Sequence, residues 1–308
     1  MAYDLKYKTP LFYYTEEELA KILESRGRKP DGLAEDIEII RKWLKTQSHL
    51  PMQPTDRQII SFLVMNKFSI EKTKEKLELN YSIKSLIPEF YKFPVSHTDF
   101  LKDVNCNTLV YLPKLNKNLN RVVIWKPDIP EDFNVNTLFS TLLQLLELKS
   151  ILDFSNSDEY MCDMSNLSLS LVSKIGPMDI KKMLTILEKV YSNRIAAIHY
   201  VNIPSYAMTL INLVKVTLKP KIRDRIVLHK NNESLLDYYS KDILPKDLGG
   251  DSKSLAELKE DFKQLLLDNQ EYLKKVQSAR VNEVLRPAKL CNDDILGFHG
   301  NFRKLQVD

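Results

Sequence analysis

Residues 195–214, IAAIHYVNIPSYAMTLINLV, contain no Lys, Arg, Asp or Glu, and nothing else in the chain restricts its possible folds so strongly. The run has the length of about 20 residues that a bilayer-crossing helix needs. It suits that role poorly, because it carries His199, Asn202 and Asn212, and Pro204 removes a backbone donor near its middle. Two elements fit it better. Residues 195–201 begin on Ile and end on Val, and their short apolar run predicts a strand buried on both faces of a parallel sheet. Beyond the Asn-Ile-Pro break, residues 205–218 predict a helix.

On that helix Ser205, Thr209 and Asn212 make one narrow polar strip, and apolar side chains cover the rest. The apolar arc is wider than an ordinary surface helix shows. Lys215, Lys219, Lys221, Arg223 and Arg225 follow, with Asp224 as the acid among them. A greasy helix beside a basic cluster fits a lid over an apolar cavity that meets an anionic surface. A buried core helix followed by a solvated charged turn fits the same residues.

Composition narrows the function classes. A chain of 308 residues with 44% hydrophobic residues can build a sizeable core, and a net charge of +4 makes no demand for a nucleic-acid partner. The N-terminal segment carries Asp4, Lys6 and Lys8 and no apolar core, so no secretory signal is expected. Cys106, Cys162 and Cys291 are odd in number and far apart, which fits free thiols in a reducing cytosol and no zinc site. Seven glycines, none in a GxGxxG, phosphate-loop or GxSxG arrangement, remove the usual handles for nucleotide and serine-hydrolase chemistry.

Residues 1–93 read as all-helical. Thr15 and Glu18 form a capping box, residues 33–44 place apolar side chains at helical spacing, Thr55 opens a third helix and Ser69 a fourth. Residues 94–104 look like a connector. Residues 108–112 and 121–125 alternate as paired strands about the turn LNKNLN, residues 136–152 make a strongly apolar helix, and 155–160 make a polar loop before a strand over 160–164. Pro177 opens the helix before the central strand. A short strand over 226–229, a short helix over 233–240 and a long charged helix over 252–278 follow, with an irregular tail over 279–308.

Several motifs carry a resemblance. Ile198-His199-x-x-Asn202-x-Pro204, Asn212-Leu-Val-Lys215, Lys221-Ile-Arg-Asp-Arg225-Ile-x-x-His229 and Leu244-Pro-x-x-x-Gly249-Gly250 occur in order. Together they resemble the CRAL-TRIO lipid-binding domain family, in its alpha-tocopherol transfer protein and cellular retinaldehyde-binding protein branch. Asp163-Met-Ser-Asn166 and Asn120-Arg121-Val122-Val123 stand where the family has Asp-x-x-Gly and Gly-Arg-Pro-Val, the Asn120 turn being expected to tolerate positive φ. The implied fold class is α/β: an all-α domain over 1–93, a mostly parallel-sheet lipid-binding domain with a mobile lid over 94–251, and a C-terminal helix and tail over 252–308.

The resemblance also implies site residues. The pocket wall would include Phe139, Leu142, Leu146, Met183, Ile186, Leu187, Ile195, Ile198, Ile211, Val214 and Leu218. Arg194, Lys221 and Arg225 match a basic groove that contacts anionic lipid headgroups, whereas Asn66 replaces an arginine implicated in that contact and counts against phosphoinositide binding. The bare sequence offers a simpler reading of the apolar faces, that they pack on each other. His199 is expected to be a satisfied buried histidine, with His49, His97, His229 and His299 isolated, so no catalytic residue and no metal site are assigned. The expected protein is a monomeric cytosolic carrier of one tocopherol-, retinoid- or other isoprenoid-like lipid. It would need no cofactor, touch anionic membranes transiently and bind no nucleic acid. The alternative is a phosphoinositide- or phospholipid-binding recruitment module.

Overall fold

The computed structural model describes residues 9–27, 32–128, 130 and 132–287. Four helices come first: α1 (Glu16–Ser25), α2 (Leu33–Lys45), α3 (Asp56–Met65) and α4 (Ile70–Leu86). Both α1 and α3 start with reciprocal caps, Thr15 with Glu18 and Thr55 with Gln58, which satisfy backbone donors that a helix start leaves open. Between α3 and α4 the chain reverses through Lys67 and Phe68, both left-handed at φ 54° and 58°. Such a conformation costs about 1–2 kcal/mol per L-residue, and burial of the Phe68 ring against the helices offsets it.

The expected connector over 94–104 is instead partly helical, α5 (Thr98–Cys106). The ring of His97 accepts the Asp99 N–H at 3.1 Å, and Phe100 and Val104 are buried. Histidine is an uncommon cap, so residue preferences alone do not place the helix start after His97. Strands β1 (Thr108–Tyr111) and β2 (Arg121–Lys126) then pair antiparallel. In their turn the left-handed residue is Leu119, at φ 58°, not Asn120. Asn116 Oδ1 holds the turn by accepting the N–H groups of Asn118 and Asn120, each at 3.0 Å.

Helix α6 (Val135–Leu152) crosses to β3 (Asp158–Asp163), which begins two residues before the expected Tyr160. Two carboxylates enter the sheet there because each has partners: Asp158 meets Lys149 at 2.9 Å, and Glu159 accepts from Asn120 at 2.7 Å and Tyr239 at 2.8 Å. A helix the sequence did not announce, α7 (Leu169–Lys174), precedes α8 (Pro177–Thr185), which runs into one π turn at Ile186–Val190. Next come β4 (Ile195–Val201), α9 (Ala207–Thr217), the single turn α10 (Pro220–Arg223) and β5 (Ile226–Leu228). The uncharged run is therefore a strand and a helix, with Asn202 left-handed at φ 52° between them. The expected helix over 233–240 is a short 3-10 segment, Glu233–Asp237.

The last expected helix divides at Asn269 into α11 (Leu255–Asp268) and α12 (Gln270–Ser278), where the Asn269 side chain donates to the Leu265 carbonyl at 2.8 Å. Residues 279–287 of the expected tail pack against the helical region, whereas 288–308, with Cys291 and His299, lie outside the described residues. The five strands lie in the order β1-β2-β3-β4-β5, parallel from β2 onward. No helix among the described residues is long and apolar enough to cross a membrane.

Candidate ligand cavity and basic groove

The strand register builds the cavity floor. Leu109 pairs with Trp125, Trp125 with Cys162, and Cys162 with Tyr200, so four side chains form one row across β1 to β4 on one face of the sheet. Tyr160, two residues before Cys162, shares that face. Above the row stand Leu138, Phe139 and Leu142 of α6, Ile180 of α8, and Leu210 and Val214 of α9. Met164 and Ile175 complete a cavity of about 170 Å³ whose lining is almost wholly apolar. Within it burial pushes the Cys162 thiol up to about 12, which keeps it protonated and unreactive.

Of the eleven side chains the resemblance implied, Phe139, Leu142 and Val214 line this cavity. Leu146, Met183, Ile186 and Leu187 turn instead toward Ile83, Ile87 and Phe90, because the π turn packs on α4 and α6 packs on the 3-10 turn Pro88–Tyr91 that follows α4. Ile195, Ile198, Ile211 and Leu218 belong to the core beneath and beside α9. Sequence periodicity missed Leu109, Trp125, Tyr160, Cys162 and Tyr200. Strand alternation could have grouped Tyr160 with Cys162 and Ile198 with Tyr200, but only interstrand register puts them in one row.

On the opposite face of β4, His199 and His229 come together, so His229 is not isolated as expected. His199 Nδ1 and His229 Nε2 are 2.8 Å apart, and His229 Nδ1 lies 2.7 Å from Ser234 Oγ. Ser234 donates its hydroxyl proton to the Asn231 carbonyl, so it accepts from His229 Nδ1–H, and His229 Nε2 then accepts from His199 Nδ1–H. Burial, and secondarily the neighbouring His229, lower His199 to about 4. It is a buried, hydrogen-bonded histidine, as expected. Among the described residues no group of three His, Cys, Asp or Glu side chains is placed to hold a metal ion.

An open groove of about 630 Å³ runs between the α3–α4 junction and the π turn. Lys67, Lys72, Lys76, Lys189, Arg194 and Lys219 line it, with Glu75 and Glu188. The strained Lys67 conformation thus sits at its rim. Lys219 pairs with Glu188 at 2.6 Å and Lys76 with Glu75 at 3.4 Å, which leaves the groove basic. Asn66 is part of the wall, but its amide is committed: it donates to the Phe62 carbonyl and accepts from the Ser192 hydroxyl, both at 2.8 Å. Neither Lys221 nor Arg225 lines the groove. Lys221 is exposed on α10, while Arg225 lies beyond the end of that turn and donates to the Ile195 carbonyl. The two therefore do not share a helical face.

Residues 106–250 match the CRAL/TRIO domain, and residues 29–93 match the Pinta-like UBA domain. The chain is 28% identical over 292 residues to the alpha-tocopherol transfer protein-like protein of Mus musculus, covering 92% of this chain and 81% of that one. It is 26% identical over 231 residues to clavesin-1 of Xenopus laevis, covering 73% and 70%. The crystal structure of Sfh5 superposes with a TM-score of 0.47 at 16% identity, over 85% of this chain and 99% of that one. With a mostly parallel sheet flanked by α6, α8 and α9, residues 106–250 are a CRAL/TRIO domain, and the chain is homologous to alpha-tocopherol transfer protein-like proteins and clavesins.

Proposed function

We propose that this protein carries one hydrophobic small molecule between membranes, enclosing it between the sheet and helices α6, α8 and α9. The observation that carries this reading is the apolar cavity roofed by α9, the helix formed from the second half of the uncharged run. An apolar enclosure without paired polar groups has nothing to catalyse with, but it removes a lipophile from water at about 25 cal/mol per Å². Its 170 Å³ is smaller than the roughly 300–1,000 Å³ of common ligand pockets. A full-length lipophile therefore requires α9 to move outward, exposing the inner faces of Leu210 and Val214. Val216, already 73% exposed on the same helix, favours that movement at a bilayer surface.

The basic groove supplies the membrane half of the reading. Arg194 and the groove lysines meet anionic headgroups, with Lys221 close by on α10, and each cation near an anionic leaflet adds about 1 kcal/mol. Carrier and groove together imply a protein free in the cytosol and transient at membranes, working without a cofactor. The names of the relatives make tocopherol-like molecules the first probes. The test is titration of fluorescent tocopherol, retinoid and phospholipid analogues against the wild type and Leu142→Trp, which fills the cavity. One-to-one binding weakened at least tenfold in the variant is expected. No binding of any lipophile, with none co-purified, would falsify the carrier.

A further inference from the structure

The apolar cavity contains one hydroxyl that the carrier reading leaves without a task. Among its lining residues, Trp125, Tyr160, Cys162 and Tyr200 are the ones that carry an N–H, O–H or S–H group. Trp125 spends its ring N–H on Asn107 Oδ1 at 3.0 Å. The Tyr160 oxygen accepts from Asn193 Nδ2, also at 3.0 Å, and Asn193 belongs to the wall of the basic groove and not to this cavity, so that hydroxyl is drawn toward the groove side. The Cys162 thiol is neutral and only a weak donor.

Tyr200 differs from these. It is only 4% exposed and packs with Ile175, Ile180 and Leu210, yet its hydroxyl makes no hydrogen bond to any described residue. Burial holds the phenol well above its ordinary value, so it stays neutral and keeps its proton. A hydroxyl without a partner in an apolar enclosure is unfavourable, and phenylalanine would fill the same wall without that cost. Tyr111 also has a partnerless hydroxyl, but it is sealed in the core and lines neither the cavity nor the groove. Tyr200 instead borders space that a ligand can enter. Its backbone is held on both sides, by Cys162 of β3 in register and by the His229 N–H, which its carbonyl accepts at 2.9 Å, so the phenol is carried on a rigid strand.

We propose that Tyr200 is the specificity-determining residue of this cavity, its hydroxyl pairing with one oxygen of the enclosed molecule. The assignment rests on the carrier reading and adds the chemistry by which the carrier selects its cargo. A neutral hydroxyl, aldehyde or ketone oxygen satisfies the phenol. A hydrocarbon leaves it unpaired, and a carboxylate would enter a lining that holds no charged side chain. Such a site discriminates by what it leaves unpaired, which an apolar wall that reads shape alone cannot do.

The test compares 2-acetylnaphthalene with 2-isopropenylnaphthalene, in which a CH₂ group replaces the carbonyl oxygen at nearly constant shape. Two-ring probes ask for less opening of α9 than a full-length lipophile. Both are bound to the full chain by equilibrium dialysis, and the readout is the ratio of their dissociation constants in the wild type and in Tyr200→Phe. Taking the ratio within each protein cancels the different hydration of the two probes. The wild type is expected to favour the ketone over the hydrocarbon by at least about fivefold more than Tyr200→Phe does, the worth of one hydrogen bond. The hydrocarbon should bind Tyr200→Phe at least as tightly as the wild type, because the variant keeps the ring and has no hydroxyl to strand. Equal ratios in the two proteins overturn the assignment and leave the carrier standing. An equal change of ratio in Tyr160→Phe overturns it as well, since the oxygen would then not be read by Tyr200. Failure of both probes to bind also overturns it, and the titration of larger lipophiles then decides the carrier separately.

Discussion

Arg121 and Asp153 are both fully buried and form a two-pronged ion pair, at 2.5 Å through Nη2 and 3.2 Å through Nε. Arg121 also reaches the carbonyls of Leu112, Pro113 and Tyr13, so it ties the N-terminal segment to the sheet. Removing one partner strands the other, and Asp153→Ala should cost about 3–5 kcal/mol in urea denaturation. Burial works against the Asp153 carboxylate, but Arg121 and Lys149 outweigh it and hold the carboxyl below its usual range. Its contribution is therefore present above the unfolded value of about 4 and lost as pH falls through the lower folded value. His199 acts in a neighbouring window. Its folded value of about 4 lies below the unfolded value of about 6.5, so the unfolded chain binds the extra proton between them. Stability is full above pH 6.5 and declines by about 2–3 kcal/mol as pH drops toward 4. Denaturation midpoints across that range should flatten in His199→Gln, and an unchanged slope would assign the decline to other groups. Gly250 has a separate constraint, since a Cβ there would lie 2.0 Å from the Leu244 carbonyl oxygen. Gly250→Ala must displace backbone.

At the scale of elements, α9 decides between a packed core and a lid. Ile211 is fully buried and Val214 half-buried on the same helix, so they report different things. Ile211→Asp buries an unpaired carboxylate in the packing under α9 and should destabilise the protein by several kcal/mol. Val214→Trp points into the cavity and should reduce lipophile binding at least tenfold with the melting temperature little changed. Thermal melts and ligand titrations on both variants separate the two, and equal loss of stability would show that α9 has no freedom to move. The groove is likewise an assembly of elements: α4 brings Lys72 and Lys76, and the π turn brings Glu188 and Lys189. Lys72→Glu with Lys76→Glu should slow transfer to anionic vesicles and leave transfer to neutral ones alone. Wild-type transfer should weaken with salt, since the Debye length is about 8 Å at physiological ionic strength.

At the scale of the whole molecule, a buried carboxylate joins the parts. Glu147 of α6 accepts from Gln58 of α3 at 3.0 Å, from Tyr272 of α12 at 2.7 Å and from Tyr191 at 3.1 Å. The final described segment is fastened by Arg286, which is nearly buried and bonds Glu78 and Ser82 of α4. Helical region, sheet and C-terminal helices therefore share interior contacts. Arg286→Ala should lower stability by about 1–3 kcal/mol, because hydrogen bonds to charged groups are worth that much. Protease resistance at 279–287 is the more local readout. If it is unchanged in the variant, the segment is held by Val281 rather than by the ion pair.

Much of this was legible in the sequence because local rules govern it. Thr15, Thr55 and Ser69 satisfy helix starts within a few residues, and Pro204 with Asn202 breaks the uncharged run regardless of context. The motifs around Asn202, Lys221 and Gly249 brought the CRAL-TRIO resemblance with them. Other features needed the third dimension. His97 as a cap and Leu119 as the left-handed turn residue depend on neighbours that no local preference specifies. Arg225 looked like a free cation until the chain after α10 put it against the Ile195 carbonyl. The approach of His199 to His229 joins segments far apart in the chain. The cavity floor is the clearest case. A strand fixes which residues share a face, but the row from Leu109 to Tyr200 exists only through the register of four strands, and hydrogen bonds between strands set that register. Apolar periodicity alone determines that a side chain is covered, while tertiary packing decides whether it is covered by another side chain or by empty space.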